Sequence, residues 1–407
     1  MTAATRQSFR RPQLRRRWAT QTSLFQYRKP AFWLYSVVVV ATGAYAISTQ
    51  EAFHRIAPAG WVLAWLLLLV YAVPVFAAVY LLDLYEREPI SLVLGALVWG
   101  AVAATTLAGI ADEGWGLVVA RAGGPEFAAR WTAAFTAPWV EETLKGVGVV
   151  LIVLIAAEEI DDMMDGFVYG AMVGLGFAVV EDVFYFMGVF GGHPAGVLEG
   201  FYVRVLSSGL YGHVLYSGLA GIGIGYFVSR RGEVSGERRA LVAGGLIAAA
   251  MAAHFLWNSP LLDLFPSRLQ GIGSWLLVPV AASVKGLPLL AFFVIMVWLA
   301  RRREDRWLRL ALSSEIEELG LSRSEVDALG SPARRRLAKR EMRARAGPGA
   351  AALLKRLQRE QINLAMIHTR ARGLAGSDLV RQREYCRSLR DALMAIPGAA
   401  PAAGSGA

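Results

Sequence analysis

Cysteine is nearly absent from these 407 residues: Cys386 is the only one. No disulfide can staple a single chain, so the fold has to hold by packing. Charge is scarce too. Asp, Glu, Lys and Arg make up 18% of the chain, against about a quarter in ordinary soluble domains. No His-Glu-x-x-His run is present, which removes a common zinc-protease signature. Ser207, Ser208 and Ser217 lie near His213 in sequence, but none sits in a Gly-x-Ser-x-Gly elbow, the usual setting of a serine nucleophile in an α/β-hydrolase. An internal repeat is also missing, which weighs against the duplicated folds of many transporters.

What the chain has instead is 55% apolar residues, gathered into long runs. A membrane-spanning helix needs about 20 mostly apolar residues, and the runs predict eight spans, near 32–48, 60–82, 91–110, 132–157, 164–190, 201–228, 240–259 and 275–300. The fold class is therefore all-α, a polytopic transmembrane helix bundle. The net charge of +10 is concentrated at the two ends and in one loop. Arg10, Arg11, Arg15, Arg16 and Arg17 precede the first run, Arg230, Arg231, Arg238 and Arg239 follow the sixth, and Arg301, Arg302 and Arg303 follow the last. The opposite side holds Arg55, Arg121, Arg130 and Arg268. With both termini inside, the positive-inside rule is satisfied. A cleavable export signal ending near Ala44-Tyr45-Ala46 is the alternative for the first run, but its loss would spoil this asymmetry.

Four regions follow: a basic cytoplasmic N-terminus (1–31), the transmembrane part (32–300), a basic helical cytoplasmic tail (301–396) and a disordered end (397–407). Residues 111–131, with Gly123-Gly124-Pro125, read as an external loop with a surface helix. Such a chain belongs in a cell membrane, and its Ala-, Gly- and Arg-rich composition fits a bacterial one. The lipid bilayer is its first partner. The basic tail suits a cytoplasmic partner, and no specific nucleic acid is expected.

Ionisable side chains inside a bilayer are costly and mark function by default. In the fourth run Glu141 and Lys145 share a helix face at i and i+4, while Glu142 points about 100° away. The fifth run holds Glu181 and Asp182, the sixth His213, and the seventh His254 and Asn258, one turn apart. Lys285 lies in the eighth and suits neutralising one of these acids. Under the topology above, Glu142, Glu181, His213 and His254 all fall in the outer half of a core roughly 30 Å thick. That shared depth points to one site. Carboxylates crowded together in a dry setting share protons, and with imidazoles and an amide they suit water activation and stabilisation of an oxyanion. Taken singly, each has a plainer role: an intrahelical ion pair, a polar cavity lining, or interhelical hydrogen bonding. Gly170, Gly174 and Gly176, with Gly218, Gly221 and Gly225, read as close helix contacts. The acidic cluster Glu158, Glu159, Asp161, Asp162 and Asp165 reads as a solvated cytoplasmic turn.

In this order, Glu141-Glu142-x-x-Lys145, Gly174-Leu175-Gly176-Phe177-x-x-x-Glu181, the isolated His213 and His254-x-x-x-Asn258 resemble the motifs of PrsW-type intramembrane glutamic endopeptidases, with Glu86-Arg87-Glu88-Pro89 similar to a loop feature of that family. The resemblance covers roughly residues 60–300. The wider clan includes the CAAX prenyl endopeptidases, whose second motif ends in His where this chain has Glu181, so a prenylated substrate does not carry over. The resemblance implies an endopeptidase without a cofactor that cuts a single-pass membrane protein, in the family's best-known role an anti-sigma factor clipped on its external side. The mechanism expected is that Glu142, assisted by Glu141, activates water, that His213, His254 and Asn258 orient it or hold the oxyanion, and that Glu181 shares a proton. Zinc held by the same His and Glu side chains is one alternative. A proton-coupled transporter or channel using them as a relay is another, and a scaffold presenting the tail is a third.

Overall fold

A computed structural model describes residues 22–82, 88–209, 212–262, 272–313, 315–370 and 376–399. The N-terminal arginines, Glu86, Arg87, Tyr211, Arg268 and residues 400–407 lie outside the described residues. The described residues are mostly helical, with no strand among them, and form a membrane unit, Thr22–Trp298, and a tail unit from Leu299 onward.

The helices of the membrane unit are α1 (Pro30–Ile56), α2 (Pro58–Leu82), α3 (Ile90–Gly123), α4 (Pro125–Ile155), α5 (Met163–Gly188), α6 (Pro194–Gly200, continuing as a π turn over Phe201–Leu206), α7 (His213–Ser229), α8 (Gly236–Asn258) and α9 (Ile272–Ser313), whose residues from Leu299 on belong to the tail unit. Four of them open on proline, whose fixed φ and missing N–H cost nothing in a first helical turn. At α5 the start is set by a capping box: Asp162 accepts from the backbone N–H of Met164 and Asp165, and Asp165 accepts from that of Asp162. Six helices (α1, α2, α3, α5, α8 and α9) are long and apolar enough to cross a membrane. Of the other apolar elements, α4 carries Glu141, Glu142 and Lys145 together, and α7 has only 17 residues. The molecule is a helical membrane bundle.

Two sequence expectations change. Residues 111–131 are not a loop: α3 runs on to Gly123, and the chain reverses only at Gly124, whose φ of 83° suits glycine, before Pro125 opens α4. The polar residues there do not end the helix because Asp112 faces a cavity inside the bundle. The expected span 201–228 is also broken. The π turn closes α6 at Leu206, and α7 begins afresh at His213. Non-helical backbone is tolerated at membrane depth only where it is covered by protein or lines a cavity, and Ser208, Gly209 and Gly212 line one here.

Helix α5 is the centre of the bundle. Of its most apolar stretch 78% is buried, against 6% for α1 and 17% for α2. In lipid the gain comes from close packing rather than from hydrophobic exclusion between helices, and glycine supplies the closeness. A Cβ added at Gly170 would lie 2.2 Å from the Ser217 carbonyl oxygen of α7, and one at Gly166 would lie 2.2 Å from that of Gly221. On another face, a Cβ added at Gly176 would lie 2.0 Å from the Leu97 carbonyl oxygen of α3. The acidic turn after α4 is paired: Glu158 binds Lys29 at 3.3 Å, and Glu159 accepts from the Thr22 backbone N–H at 2.8 Å.

The tail unit holds α10 (Ile316–Leu319), α11 (Arg323–Leu329), α12 (Pro332–Arg370, kinked at Gly347) and α13 (Gly376–Met394). It has its own core, in which Met342, Ala350 and Leu357 of α12 pack with Tyr385, Leu389 and Leu393 of α13. Arg383 forks onto the buried Glu315 with two bonds of 2.6 Å.

Candidate active site

One turn of α4 supplies a carboxylate pair and its counter-ion. Lys145 is 0% exposed, and an ammonium so deep needs every N–H matched. The match is complete: Nζ lies 2.9 Å from Glu141 Oε2, 2.9 Å from Glu142 Oε1 and 2.8 Å from His213 Nδ1. The Phe177 ring of α5 covers it from the side, 3.7 Å from Nζ to the ring centre. The turn is pinned from behind by α3, where a π turn over Trp99–Ala104 sets the Trp99 indole to donate to the Leu144 carbonyl at 2.9 Å.

An ammonium offers only donors, so His213 Nδ1 accepts, and the proton of the neutral ring sits on Nε2. From there it donates to Glu181 Oε2 at 2.9 Å. Glu181 also accepts from Arg204 at 2.6 Å, and the same guanidinium bonds Asp182 at 2.5 Å. Arg204 stands on the π turn of α6 and stacks 3.6 Å over Tyr185. From α8, His254 Nδ1 donates to Glu142 Oε1 at 3.2 Å, and Asn258 donates to the Ala133 carbonyl at 3.3 Å. Ser217 of α7 closes the remaining side of Glu142, donating to Oε2 at 3.2 Å.

These groups border a cavity of about 510 Å³. Its walls include Glu141, Glu181, Asp182, His213, His254 and Asn258, six of the residues singled out from the sequence. Glu142 is not among them. Its side chain is fully enclosed by Lys145, His254 and Ser217. Glu141 is the one of the pair that borders the cavity, and only its Oε2 is engaged by Lys145. Lys285 lies on α9, half-buried and outside the cavity lining.

Several lining residues escaped the sequence reading, among them Arg204, Asp112 and Tyr216. Arg204 was an intramembrane cation in plain view, overlooked inside an apolar run. Asp112 sat in a segment read as a loop; its Oδ1 is buried without a hydrogen-bond partner among the described residues. Tyr216, three residues after His213, stacks on the His254 ring at 4.8 Å and 15°, and nothing in the sequence distinguishes it from an interfacial aromatic.

The family model described as PrsW family intramembrane metalloprotease matches residues 88–307. The chain belongs to the PrsW family. It is 29% identical to Protease PrsW of Geobacillus kaustophilus (strain HTA426) over 229 residues, 55% of this chain and 83% of that protein. With Protease PrsW of Bacillus subtilis (strain 168) it shares 32% identity over 109 residues, 27% of this chain and 47% of that one. No solved structure matches. The match takes in every site residue above, and with the apolar helices it makes this PrsW relative a membrane protease, a peptide hydrolase.

The family description names a metal, and the donor set fits one. Glu141, Glu142, His213 and His254 each offer a ligand atom within 4.8 Å of the others. Glu142 Oε1 is 3.2 Å from His254 Nδ1, and Glu141 Oε2 is 3.7 Å from His213 Nδ1. A tetrahedral zinc site with bonds near 2.1 Å spaces its donors about 3.4 Å apart. Lys145 Nζ contacts three of the same four donors, so a divalent ion held by them would have to displace the ammonium.

Proposed function

We propose that this PrsW relative is an endopeptidase of the bacterial cell membrane that cuts single-pass membrane proteins on their external side, an anti-sigma factor being the substrate class the resemblance implies, with Glu141 as the general base. One observation carries the reading. Glu141 borders the cavity while Lys145 fixes one of its oxygens, which leaves the other to meet a water molecule. In the step we infer, that oxygen takes a proton from water as the water oxygen bonds to the scissile carbonyl carbon, and the carbonyl π pair moves onto its oxygen. Collapse re-forms the C=O bond and breaks the C–N bond. Glu141 returns its proton to the leaving nitrogen, so one peptide bond and one water give an acid and an amine. Glu142 anchors Lys145 and His254 rather than touching water. Glu181, clamped by Arg204, holds the His213 ring.

The second reading is metal-dependent. Glu141, Glu142, His213 and His254 would hold the ion, with Lys145 turned aside; when bound, it would acidify a water and polarise the peptide carbonyl. Four carboxylates (Glu141, Glu142, Glu181, Asp182) face two fixed cations (Lys145, Arg204). A divalent ion would cancel that excess of two charges, whereas one shared proton would halve it.

The test compares protein N-termini in membranes from cells making wild type, Glu141→Gln or Glu142→Gln at matched levels. New termini near the external face of single-pass proteins, present only with wild type, are expected. Identical profiles from folded, inserted protein under an inducing stress would refute proteolysis and turn attention to proton-coupled flux in vesicles. Activity that survives chelation supports the carboxylate mechanism; loss on chelation with recovery on added zinc supports the metal one.

A further inference from the structure

The cavity wall beside the two imidazoles contains an orphan. Tyr216 is 1% exposed and lines the cavity, and its hydroxyl oxygen is buried with no hydrogen-bond partner among the described residues. A buried hydroxyl left unpaired costs about 1–3 kcal/mol, and a phenylalanine would avoid that cost while keeping the same stack. The ring is held by position as well as burial. It lies parallel to His254 at 4.8 Å and edge-on to His213 at 6.0 Å and 87°.

The imidazole, ammonium and amide donors of the site can be assigned one by one; Arg204, also in the lining, gives Nε to Asp182 and Nη2 to Glu181. A peptide carbonyl attacked by water becomes an oxyanion, which needs hydrogen-bond donors waiting for it. Neutral His213 spends its one N–H on Glu181. A neutral ring at His254 would spend its one N–H on Glu142 and leave its second nitrogen a bare acceptor. All three Lys145 protons are engaged. Asn258 has one amide hydrogen left after bonding the Ala133 carbonyl. The Tyr216 O–H is wholly uncommitted.

Resting on the proteolytic reading above, we infer that Tyr216 is a catalytic residue whose phenol donates to the oxyanion of the scissile peptide, alongside the spare N–H of Asn258. It donates a hydrogen bond and transfers no proton, so the proton inventory of the Glu141 step is unchanged. Its partner is absent from the resting protein because the substrate carbonyl supplies it.

The experiment uses the full-length protein in liposomes with a single-pass substrate identified by the N-terminal comparison, and reads Tyr216→Phe beside Glu141→Gln. Loss of one oxyanion donor is expected to lower kcat about 100-fold, with KM within two-fold. The melting temperature should hold or rise, since the change removes an unpaired hydroxyl. A purely structural tyrosine gives a different pattern, unchanged kcat whatever the stability does. If Tyr216→Phe misfolds, fluorinated tyrosine at 216 decides: a donor to the oxyanion makes kcat follow phenol acidity, and a bystander does not. Wild-type kcat in Tyr216→Phe, with Glu141→Gln inactive, overturns this inference alone. Absence of any wild-type cleavage overturns the proteolytic reading and this inference with it.

Discussion

Replacing Gly174 by alanine adds a single methyl group to α5, yet it tests whether helix packing holds the active site. The new Cβ would lie 2.3 Å from the His213 carbonyl oxygen and 2.7 Å from its carbon. Real Cβ contacts essentially never fall below 3.0 Å, so the first must lengthen by at least 0.7 Å. Both obstacles are backbone, which cannot rotate away, so α7 has to move at its first residue. That residue carries the imidazole joining Lys145 to Glu181. Overpacking of this kind costs about 1–3 kcal/mol, and a misplacement near 1 Å costs about 100-fold in rate. The expected result is a modest fall in melting temperature with a fall of about 100-fold in kcat. Gly146→Ala is the matched control: its Cβ meets nothing within 4 Å, and it lies on α4 one residue after Lys145. It should cleave like wild type. If Gly174→Ala matched that control in both rate and stability, the close α5–α7 approach would not be what positions His213.

Lys145→Met removes the cation from between two buried carboxylates and should cost about 3–5 kcal/mol, seen as a lower unfolding midpoint in mild detergent, with cleavage lost. Arg204→Lys keeps the charge but not the fork onto Glu181 and Asp182; a loss of one charged hydrogen bond, roughly 10- to 100-fold in kcat, is expected, and wild-type rates would show that Glu181 needs no clamp. Cys386 is 1% exposed and burial pushes its thiol pKa up, so maleimide labelling should stay slow until the tail unfolds; fast labelling of native protein would contradict the packing of α13. Deleting residues 305–407 should change cleavage rate or substrate choice, and unchanged kinetics would remove any regulatory role for the tail.

Most of this architecture can be read from composition and periodicity, because long apolar runs have few alternatives to helix. Six of the residues picked as intramembrane polar groups do border one cavity, since burying them separately would leave each without a partner. What the runs could not reveal depends on tertiary contact. The break before His213 carries Ser207, Ser208, Gly209 and Gly212 inside what reads as one long run, and such backbone is tolerated at membrane depth where it lines a cavity, as Ser208, Gly209 and Gly212 do. Asp112 prolongs α3 for the same reason. The choice between Glu141 and Glu142 was likewise illegible: a 100° step around a helix separates them, and only the positions of α7 and α8 decide which one is enclosed. Tyr216 carries no charge, so hydropathy passes over it.

Helix α5 also works as a ruler. Gly166, Gly170 and Gly174 set its contact line with α7, and Glu181 follows Gly174 by seven residues, close to two full turns. The contact that seats the helix and the carboxylate that meets His213 are therefore in phase. Inserting one residue between them would keep the seat, the composition and the hydropathy, yet swing Glu181 away by about 100°. Relatives that keep this chemistry should vary freely in the tail and in the turns, and hardly ever in the length of that one interval.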